Sequence, residues 1–415
     1  MIYNHLKSTH FSFLFAFFFM LFSCGKGQPV VKKNHETTDS SIVLASNRTY
    51  LYLPYLINKK VGVVANQTSV LLKSVKNLKE SELKNEFTHL VDSLLNLNIT
   101  IEKVFSPEHG FRGMADAAEE VSNEIDKKTG LPIISLYGKK RKPSKNDLSG
   151  IEVMIFDIQD VGVRFYTYLS TLHYVMEACA ENNIPLILLD RPNPNGYYID
   201  GPMLQPSFKS FLGMHPVPLV YGMTIGEYAQ MINGEQWLKN NIQCDLTVIP
   251  LKNYKHADYY DLPIKPSPNL PNSQAINLYP SLGFFEGTSI NAGRGTEFQF
   301  QRYGATWFPE SGFAYTPKPN DGAKNPKHNG LLCYGVDLSE VEKLNHINIK
   351  WLKDAYEKTP SNKKFFGSTF NKHVGNDLLF NQLKKGVSEG LIKASWKKEI
   401  DEFKEIRKNY LIYKE

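Results

Sequence analysis

The sequence is poor in cysteine, with four residues among 415. One of them, Cys24, follows an N-terminal apolar run, and the other three lie far apart with no C-x-x-C spacing. A scaffold held by disulfides, or a zinc site built from cysteine pairs, needs more cysteines at closer spacing. We therefore expect neither a disulfide framework nor a structural zinc site.

Several short catalytic motifs are also missing. The sequence has no G-x-S-x-G nucleophile elbow, no P-loop and no H-E-x-x-H pair. The sequence therefore contains no motif that would support three enzyme classes: serine hydrolases with such an elbow, nucleoside triphosphatases and zinc peptidases. Lysine and arginine are scattered, apart from a short basic run at 139–142, and the net charge is +6. This distribution does not predict a nucleic-acid interface.

The sequence lacks an apolar run long enough to span a bilayer, which takes roughly 20 residues. The apolar run from Phe11 to Phe22 instead has the length of the hydrophobic region of a secretory signal. It ends in Ser23-Cys24, which resembles the lipobox of bacterial lipoproteins, where the cysteine is acylated. We predict a signal peptide over 1–23, a lipidated Cys24, and a polar tether over 24–46. The protein would then be exported and membrane-anchored, periplasmic or at the cell surface; an uncleaved membrane anchor is the alternative.

After the tether, short apolar runs alternate with helix-like segments. The segment Tyr168–Asn182 places Leu172, Val175, Met176 and Cys179 on one face, at the spacing of an amphipathic helix. Continuous apolar strands that alternate with helices are typical of a parallel sheet covered on both faces. We predict a Rossmann-like, doubly wound domain over 47–235. Its strands are expected at Val61–Ala65, Ile99–Phe105, Leu131–Leu136, Val153–Ile158 and Pro185–Leu189.

The second half has a different composition. Residues 263–330 are rich in proline, glycine, asparagine and aromatics, and this aromatic content argues for ordered loops rather than disorder. Near the end, Trp396, Ile400, Phe403 and Ile406 form the apolar stripe of an amphipathic helix. We therefore predict a second domain over 236–415.

Polar side chains follow the predicted strands, at the edge where open parallel sheets bind ligands. The turn after the first strand contains no glycine, so a dinucleotide cofactor is not expected, and we predict no cofactor. The candidate binding residues at this edge are Asn66, His109, Arg112, Arg164, Tyr166, Asp190, Arg191 and Asn193.

The carboxylate side chains remain as candidates for the catalytic groups. Glycoside hydrolysis usually takes one protonated acid and a second carboxylate. Glu108 is our first choice for the acid, because it follows Pro107 at a strand end and precedes Gly110 in a predicted tight turn. Its structural alternative is a helix cap or an ion pair with Arg112. Asp160 is a candidate for the second carboxylate.

Seven segments carry a resemblance to a known family: Ser106–Gly113, Asp157–Tyr168, Asp190–Gly196, Gly201–Leu204, His215–Thr224, Pro266–Pro271 and Leu278–Ala305. In order, and across nearly all of 60–400, they resemble the exo-β-N-acetylmuramidase family typified by NamZ. The resemblance implies a Rossmann-like N-terminal domain, a C-terminal α/β domain, and an active site in the cleft between them. It also implies metal-free release of terminal N-acetylmuramic acid (MurNAc) from the MurNAc-GlcNAc units of peptidoglycan fragments during cell-wall turnover.

The resemblance also suggests roles for individual residues. The catalytic glutamate of the family falls on Glu108, and the second catalytic group stays open among Asp160, Glu286 and Glu297. Asn269, in the segment Pro266–Pro271, becomes a binding candidate.

The lactyl carboxylate of MurNAc calls for a cation, and the planar fork of arginine suits this task. The candidates are Arg112, Arg164, Arg191 and Arg294. Two other functions stay open, a hydrolase of a different cell-wall bond and a non-catalytic lipoprotein that binds muropeptides.

Overall fold

The computed structural model describes residues 41–73, 87–112, 124–310 and 312–415. The predicted signal peptide and Cys24 lie outside the described residues. Ser41–Glu415 forms one compact unit. Within the described ranges, no helix combines the length and apolar character needed to cross a membrane.

Regular structure is spread along the whole of the described chain. The strands are β1 Lys60–Ala65, β2 Val70–Leu72, β3 Phe87–His89, β4 Thr100–Ser106, β5 Glu124–Ile125, β6 Pro132–Ser135, β7 Val153–Asp157, β8 Leu186–Leu189, β9 Leu246–Ile249, β10 Arg302–Ala305, β11 Ala314–Tyr315 and β12 Cys333–Asp337. The α-helices are α1 Thr49–Tyr52, α2 Leu90–Asn96, α3 Tyr168–Glu181, α4 Ile225–Gly234, α5 Ser273–Leu282, α6 Lys350–Glu357, α7 Phe370–Val374, α8 Leu378–Lys384 and α9 Glu389–Arg407.

The centre of the fold is a seven-stranded sheet in the order β5-β6-β4-β1-β7-β8-β9. Every neighbouring pair is parallel except β5 with β6 at one edge. The chain winds outward from β1 through β4 to β6, then returns to the other side of β1 with β7. This strand order is that of the doubly wound dinucleotide-binding folds, in which ligands bind at the crevice where the winding reverses. The predicted Rossmann-like sheet is confirmed.

Both faces of the sheet are buried, as the apolar runs predicted. On β7, Met154 and Phe156 belong to the core that contains α3 and α4, whereas Val153 and Ile155 belong to the core that contains α2. Successive side chains of a strand point to opposite faces. The strand therefore needs apolar residues at every position, which is why no alternation of polar and apolar residues appears in its sequence.

The helical stripes agree with their predictions except at one position. Leu172, Val175, Met176 and Cys179 of α3 are fully buried, and Trp396, Ile400 and Phe403 of α9 are also buried. Ile406 is instead 40% exposed. The next residue, Arg407, takes the buried position and donates to the carbonyl oxygen of Gly222 at 2.9 Å through Nε.

The later part of the chain adds a three-stranded antiparallel sheet, β10-β12-β11, and helices α5 to α9. The central sheet itself includes β9, which lies beyond residue 235, so the sheet draws on both sides of the predicted domain division. That division stays a prediction.

The start of the compact unit corrects one expectation. Val43 pairs with Lys252 in both directions at 3.0 Å, and Leu44 is buried against Leu251 and Tyr254. Val43 and Leu44, which the prediction placed in the tether over 24–46, therefore belong to the compact unit.

A buried ion pair joins two neighbouring strands at the carboxyl edge of the sheet. Arg191, just after β8, donates to Asp157, at the end of β7, through Nε at 2.6 Å and Nη2 at 2.8 Å. Its Nη2 also donates to the carbonyl oxygen of Val70 at 3.2 Å. Burial raises the pKa of the Asp157 carboxyl, and the charge and hydrogen bonds of Arg191 oppose that rise. The partner of Arg191 is thus Asp157 rather than its neighbour Asp190.

We expect Arg191→Met to lower the free energy of unfolding by roughly 3–5 kcal/mol, because it leaves the Asp157 charge buried and unpaired. Urea denaturation at pH 7 measures this loss. Adding Asp157→Leu to the variant should restore part of it. Lys59→Met, which removes the exposed pair with Glu152, is the control and should cost less than about 1 kcal/mol. Equal losses for Lys59→Met and Arg191→Met would contradict the structural role of the buried pair.

Candidate active site

A cavity of about 230 Å³ opens beside the segment that follows β4. Side chains from both halves of the chain line it, so neither half forms it alone. We call it the Glu108 cavity. Its lining residues are Glu108, His109, Tyr137, Arg141, Phe165, Tyr166, Thr167, Phe211, Leu212, Ser267, Asn269, Leu270, Tyr279, Glu286, Arg294, Phe300 and His373.

Glu108 is placed in the cavity by a turn at the end of β4. The backbone N–H of Gly110 donates to the carbonyl oxygen of Pro107 at 3.1 Å, which confirms the predicted tight turn. His109 and Gly110 both have positive φ, 73° and 75°. For the histidine this conformation is unfavourable, and such strain is concentrated at functional sites. The hydroxyl of Thr167, at the start of α3, donates to Glu108 Oε2 at 2.6 Å and orients the carboxyl group.

Glu286 enters the cavity from a short 3-10 helix, Gly283–Gly287. Its Oε2 lies 2.6 Å from Nη1 of Arg294. Burial acts to raise the pKa of Glu286, but the positive charges of Arg294 and Lys327, with the hydrogen bond from Arg294, outweigh it. The pKa therefore falls below its ordinary range, so Glu286 is ionised at neutral pH.

Tyr279 is close enough to both glutamates to respond to their charges. Burial raises its pKa, and the negative charges of Glu286 and Glu108 raise it further, so its hydroxyl stays protonated. Its ring meets those of Phe165 and Phe300 edge-on, with centroid distances of 5.1 and 4.7 Å. The cavity thus combines an aromatic wall with a small number of polar groups, as ligand sites usually do.

Six of the residues predicted from sequence meet in this cavity: Glu108, His109, Tyr166, Asn269, Glu286 and Arg294. The Tyr166 hydroxyl donates to the carbonyl oxygen of Pro266 at 2.9 Å, so it is already bound within the protein. Asn269 is buried, and its Oδ1 has no hydrogen-bond partner among the described residues. This oxygen is closed off from solvent, so a ligand would become its partner only after the side chain turns toward the cavity and the ligand donates to it.

Three of the candidate arginines make their polar contacts outside the cavity. Arg112 pairs with Asp126, with Nη2 and Oδ2 2.7 Å apart, and not with Glu108. Arg164 is fully buried, where it donates to three backbone carbonyl oxygens at 2.5 to 2.7 Å. Burial lowers its pKa to about 9. Arg191 pairs with Asp157. We therefore assign structural roles to all three and leave Arg294 as the member of the set that lines the cavity.

Asp160 and Asp190 are also buried outside the cavity lining. Asp160 accepts hydrogen bonds from the Gly162 N–H at 2.7 Å and from the Tyr221 hydroxyl. Asp190 accepts from the Tyr413 hydroxyl at 2.6 Å. Burial raises the pKa of each aspartate to about 6. Their positions support structural hydrogen bonding rather than contact with a substrate.

The other predicted residues also lie elsewhere. Asn66 donates through Nδ2 to the Tyr168 hydroxyl at 2.9 Å, and Asn193 accepts through Oδ1 from the Asn195 N–H at 2.8 Å. Both asparagines are buried, and the side-chain oxygen of each accepts from the backbone N–H two residues later. Glu297 is exposed and lines a neighbouring depression rather than the Glu108 cavity.

Sequence reasoning missed Arg141. Its guanidinium lies 4.3 Å from the centroid of the Phe211 ring at the cavity. Its neighbours Lys140 and Lys142 each form an ion pair at 2.6 Å. By contrast, no carboxylate in the described part of the chain pairs with Arg141. The basic run at 139–142 was the available signal, but it does not say which of its members faces a cavity.

Comparison with known proteins extends this description. A Bacillus subtilis (strain 168) protein named peptidoglycan beta-N-acetylmuramidase NamZ is 38% identical, over 87% of this chain and 89% of its own length. Crystal structures of two DUF1343 family proteins from Bacteroides fragilis NCTC 9343 superpose with TM-scores of 0.80 and 0.72, at 43% and 27% identity. Each match covers 90% of this chain and 99% of the solved chain.

Two family models match consecutive parts of the chain. The N-terminal model of exo-beta-N-acetylmuramidase NamZ covers residues 61–274, and the C-terminal model covers 277–413. Together they span nearly all of the compact unit, in agreement with the resemblance found in the sequence. This chain belongs to the exo-β-N-acetylmuramidase NamZ family.

Proposed function

We propose that this protein is an exo-acting glycoside hydrolase that releases terminal MurNAc from peptidoglycan fragments built of MurNAc-GlcNAc units. The observation that carries the proposal is the pairing in one cavity of Glu108 with an ionised Glu286 held by Arg294. Glycoside hydrolysis needs two carboxyl groups in different roles. The similarity to the Bacillus subtilis protein, whose name states this class of activity, supports the substrate.

The two glutamates suit different steps of glycosidic cleavage. Glu108, oriented by Thr167, donates a proton to the oxygen that leaves with the next sugar. The sugar in the cavity then develops positive charge at its anomeric carbon, as in an oxocarbenium ion. Glu286 supplies a fixed negative charge to stabilise it, because its lowered pKa keeps it ionised. Water then forms the new bond to the anomeric carbon, and the proton that it loses restores the acid form of Glu108.

The size of the cavity is consistent with exo action. Its volume of about 230 Å³ lies below the roughly 300–1,000 Å³ of typical small-molecule sites. A space of this size favours one terminal sugar over an internal stretch of glycan.

We expect Glu108→Gln to fold normally and to lose roughly 100-fold or more of kcat on the MurNAc-GlcNAc disaccharide, because it removes the proton donor. The glutamine keeps the shape of the side chain and an oxygen that accepts from Thr167. A nitrophenyl MurNAc glycoside, whose leaving group needs less protonation, should lose less. The measurement is steady-state hydrolysis of both substrates.

Glu102→Gln is the matched control, because Glu102 lies on β4, the strand that leads into the turn of Glu108, and pairs with Lys60 at 3.4 Å outside the cavity. Near-normal turnover of the disaccharide by Glu108→Gln would exclude Glu108 as the acid. If the wild-type protein binds muropeptides but cleaves neither substrate, the protein is a binding lipoprotein instead.

We further propose that Arg141 recognises the lactyl carboxylate, since Arg294 is already paired with Glu286. Arg141→Ala should raise the inhibition constant of free MurNAc roughly 10- to 100-fold, as expected for a lost hydrogen bond to a charged group. The inhibition constant of GlcNAc, which lacks the lactyl group, should change little. Lys139→Ala, on the same exposed run, is the control. If Arg141→Ala keeps full discrimination between the two sugars while Arg294→Ala loses it, the role belongs to Arg294.

We propose finally that the protein is a lipoprotein, exported and anchored through Cys24, on the strength of the apolar run that ends in Ser23-Cys24. Cys24→Ala should release the protein from the membrane fraction or block its processing. Fractionation and intact mass of the mature protein measure this, and Cys179→Ala, at a buried thiol, is the control. A Cys24→Ala protein with unchanged mature mass and membrane fractionation would contradict lipidation.

A further inference from the structure

A second depression, of about 510 Å³, adjoins the Glu108 cavity. Ser267 lines both spaces. Arg294, in the cavity, donates to the carbonyl oxygen of Gly322, in the depression, at 3.0 Å. A ligand that leaves the cavity past this wall would enter the second space. We call it the amide trough and define it by Gln67, Lys265, Glu297, Gln299, Asn320 and Asp321.

The trough contains amide oxygens that the protein leaves unsatisfied. Gln299 is only 6% exposed, and its Oε1 has no hydrogen-bond partner among the described residues. Gln67 donates through Nε2 to the carbonyl oxygens of Lys265 and Pro266 at 3.2 and 3.1 Å, and its enclosed Oε1 likewise lacks a protein partner in the described ranges. Asn269 presents a third such oxygen at the shared wall. Enclosed acceptors without partners are unfavourable, and a ligand rich in hydrogen-bond donors would satisfy them once these side chains turn toward the trough.

The charges of the trough narrow the class of ligand. Among the described residues that line it, Glu297 and Asp321 carry two negative charges, and Lys265 carries one positive charge. This balance disfavours an anionic group such as a lactyl carboxylate or an acidic stem peptide. A neutral sugar with hydroxyl and acetamido groups offers the donors that the amide oxygens need and adds no charge.

The two spaces therefore differ in the part of the glycan that they suit. The Glu108 cavity holds Arg141 and Arg294 and suits the anionic MurNAc, whereas the trough suits a neutral neighbour. We propose that the amide trough is the subsite for the N-acetylglucosamine residue on the leaving side of the scissile bond. This assignment rests on the proposed function, because it takes the Glu108 cavity to hold the terminal MurNAc.

The test compares two substrates that share MurNAc and differ in the leaving group. The MurNAc-GlcNAc disaccharide places a sugar in the trough, and a nitrophenyl MurNAc glycoside does not. Gln299→Met keeps the approximate shape of the side chain but removes its amide. We expect it to lower the ratio of kcat/KM for the disaccharide to kcat/KM for the nitrophenyl glycoside by about tenfold, chiefly through a higher KM for the disaccharide. It should also weaken inhibition by free GlcNAc at the leaving side.

A second variant covers the case in which Gln299→Met fails to fold. Glu297→Ala removes an exposed trough side chain that can accept hydrogen bonds from sugar hydroxyls, and it should shift the ratio in the same direction. Gln243→Met, at an exposed glutamine outside the trough, is the matched control and should keep the wild-type ratio.

The outcomes separate the subsite from the function. If the wild-type protein hydrolyses both substrates and the folded trough variants keep its ratio within twofold, the subsite is overturned and the function stands. If the wild-type protein hydrolyses neither substrate, the proposed function fails, and the subsite fails with it. A lower ratio in both trough variants, with no change in the control, supports the subsite.

Discussion

The buried ion pair between Arg191 and Asp157 holds together the edge of the sheet on which the site is built. It joins the ends of two adjacent parallel strands and also binds the backbone at Val70. A charge enclosed in this way is tolerated only with a partner, so each group depends on the other. Asp190 is consequently free to accept from the Tyr413 hydroxyl and so to hold the C-terminal segment against the sheet.

This arrangement explains why the charged residues that follow β7 and β8 do not themselves form the site. At the ends of β7 and β8, Asp157 and Arg191 pair with each other, whereas Asp160 and Asp190 accept from tyrosine hydroxyls. After β4, the turn that contains Glu108 directs a carboxyl group into the cavity, where the Thr167 hydroxyl donates to it at 2.6 Å. The later half of the chain then adds Glu286, kept ionised by the positive charges around it. The cavity therefore combines one carboxyl from the sheet edge with one from a remote segment.

Charge also divides the surface around this cavity. Arg141 and Arg294 place positive groups beside the two glutamates, whereas the adjoining trough has two carboxylates, one lysine and several amides. A glycan that alternates an anionic sugar with a neutral one matches this division in one orientation only. The same electrostatic contrast would then determine both which sugar enters the cavity and which sugar leaves.

The sequence by itself determined the doubly wound sheet, because strands buried on both faces must be apolar at every position and therefore appear as continuous runs. It also located Glu108, since a turn directly after a parallel strand has few places to direct its side chain. Only the tertiary structure decided which arginines face a ligand. Arg164 and Arg191 resembled Arg294 in sequence, yet the carbonyl oxygens that Arg164 binds belong to residues 38, 53 and 210 positions away. The environment of a charged side chain is set by groups that are remote along the chain, and local sequence patterns carry no information about them.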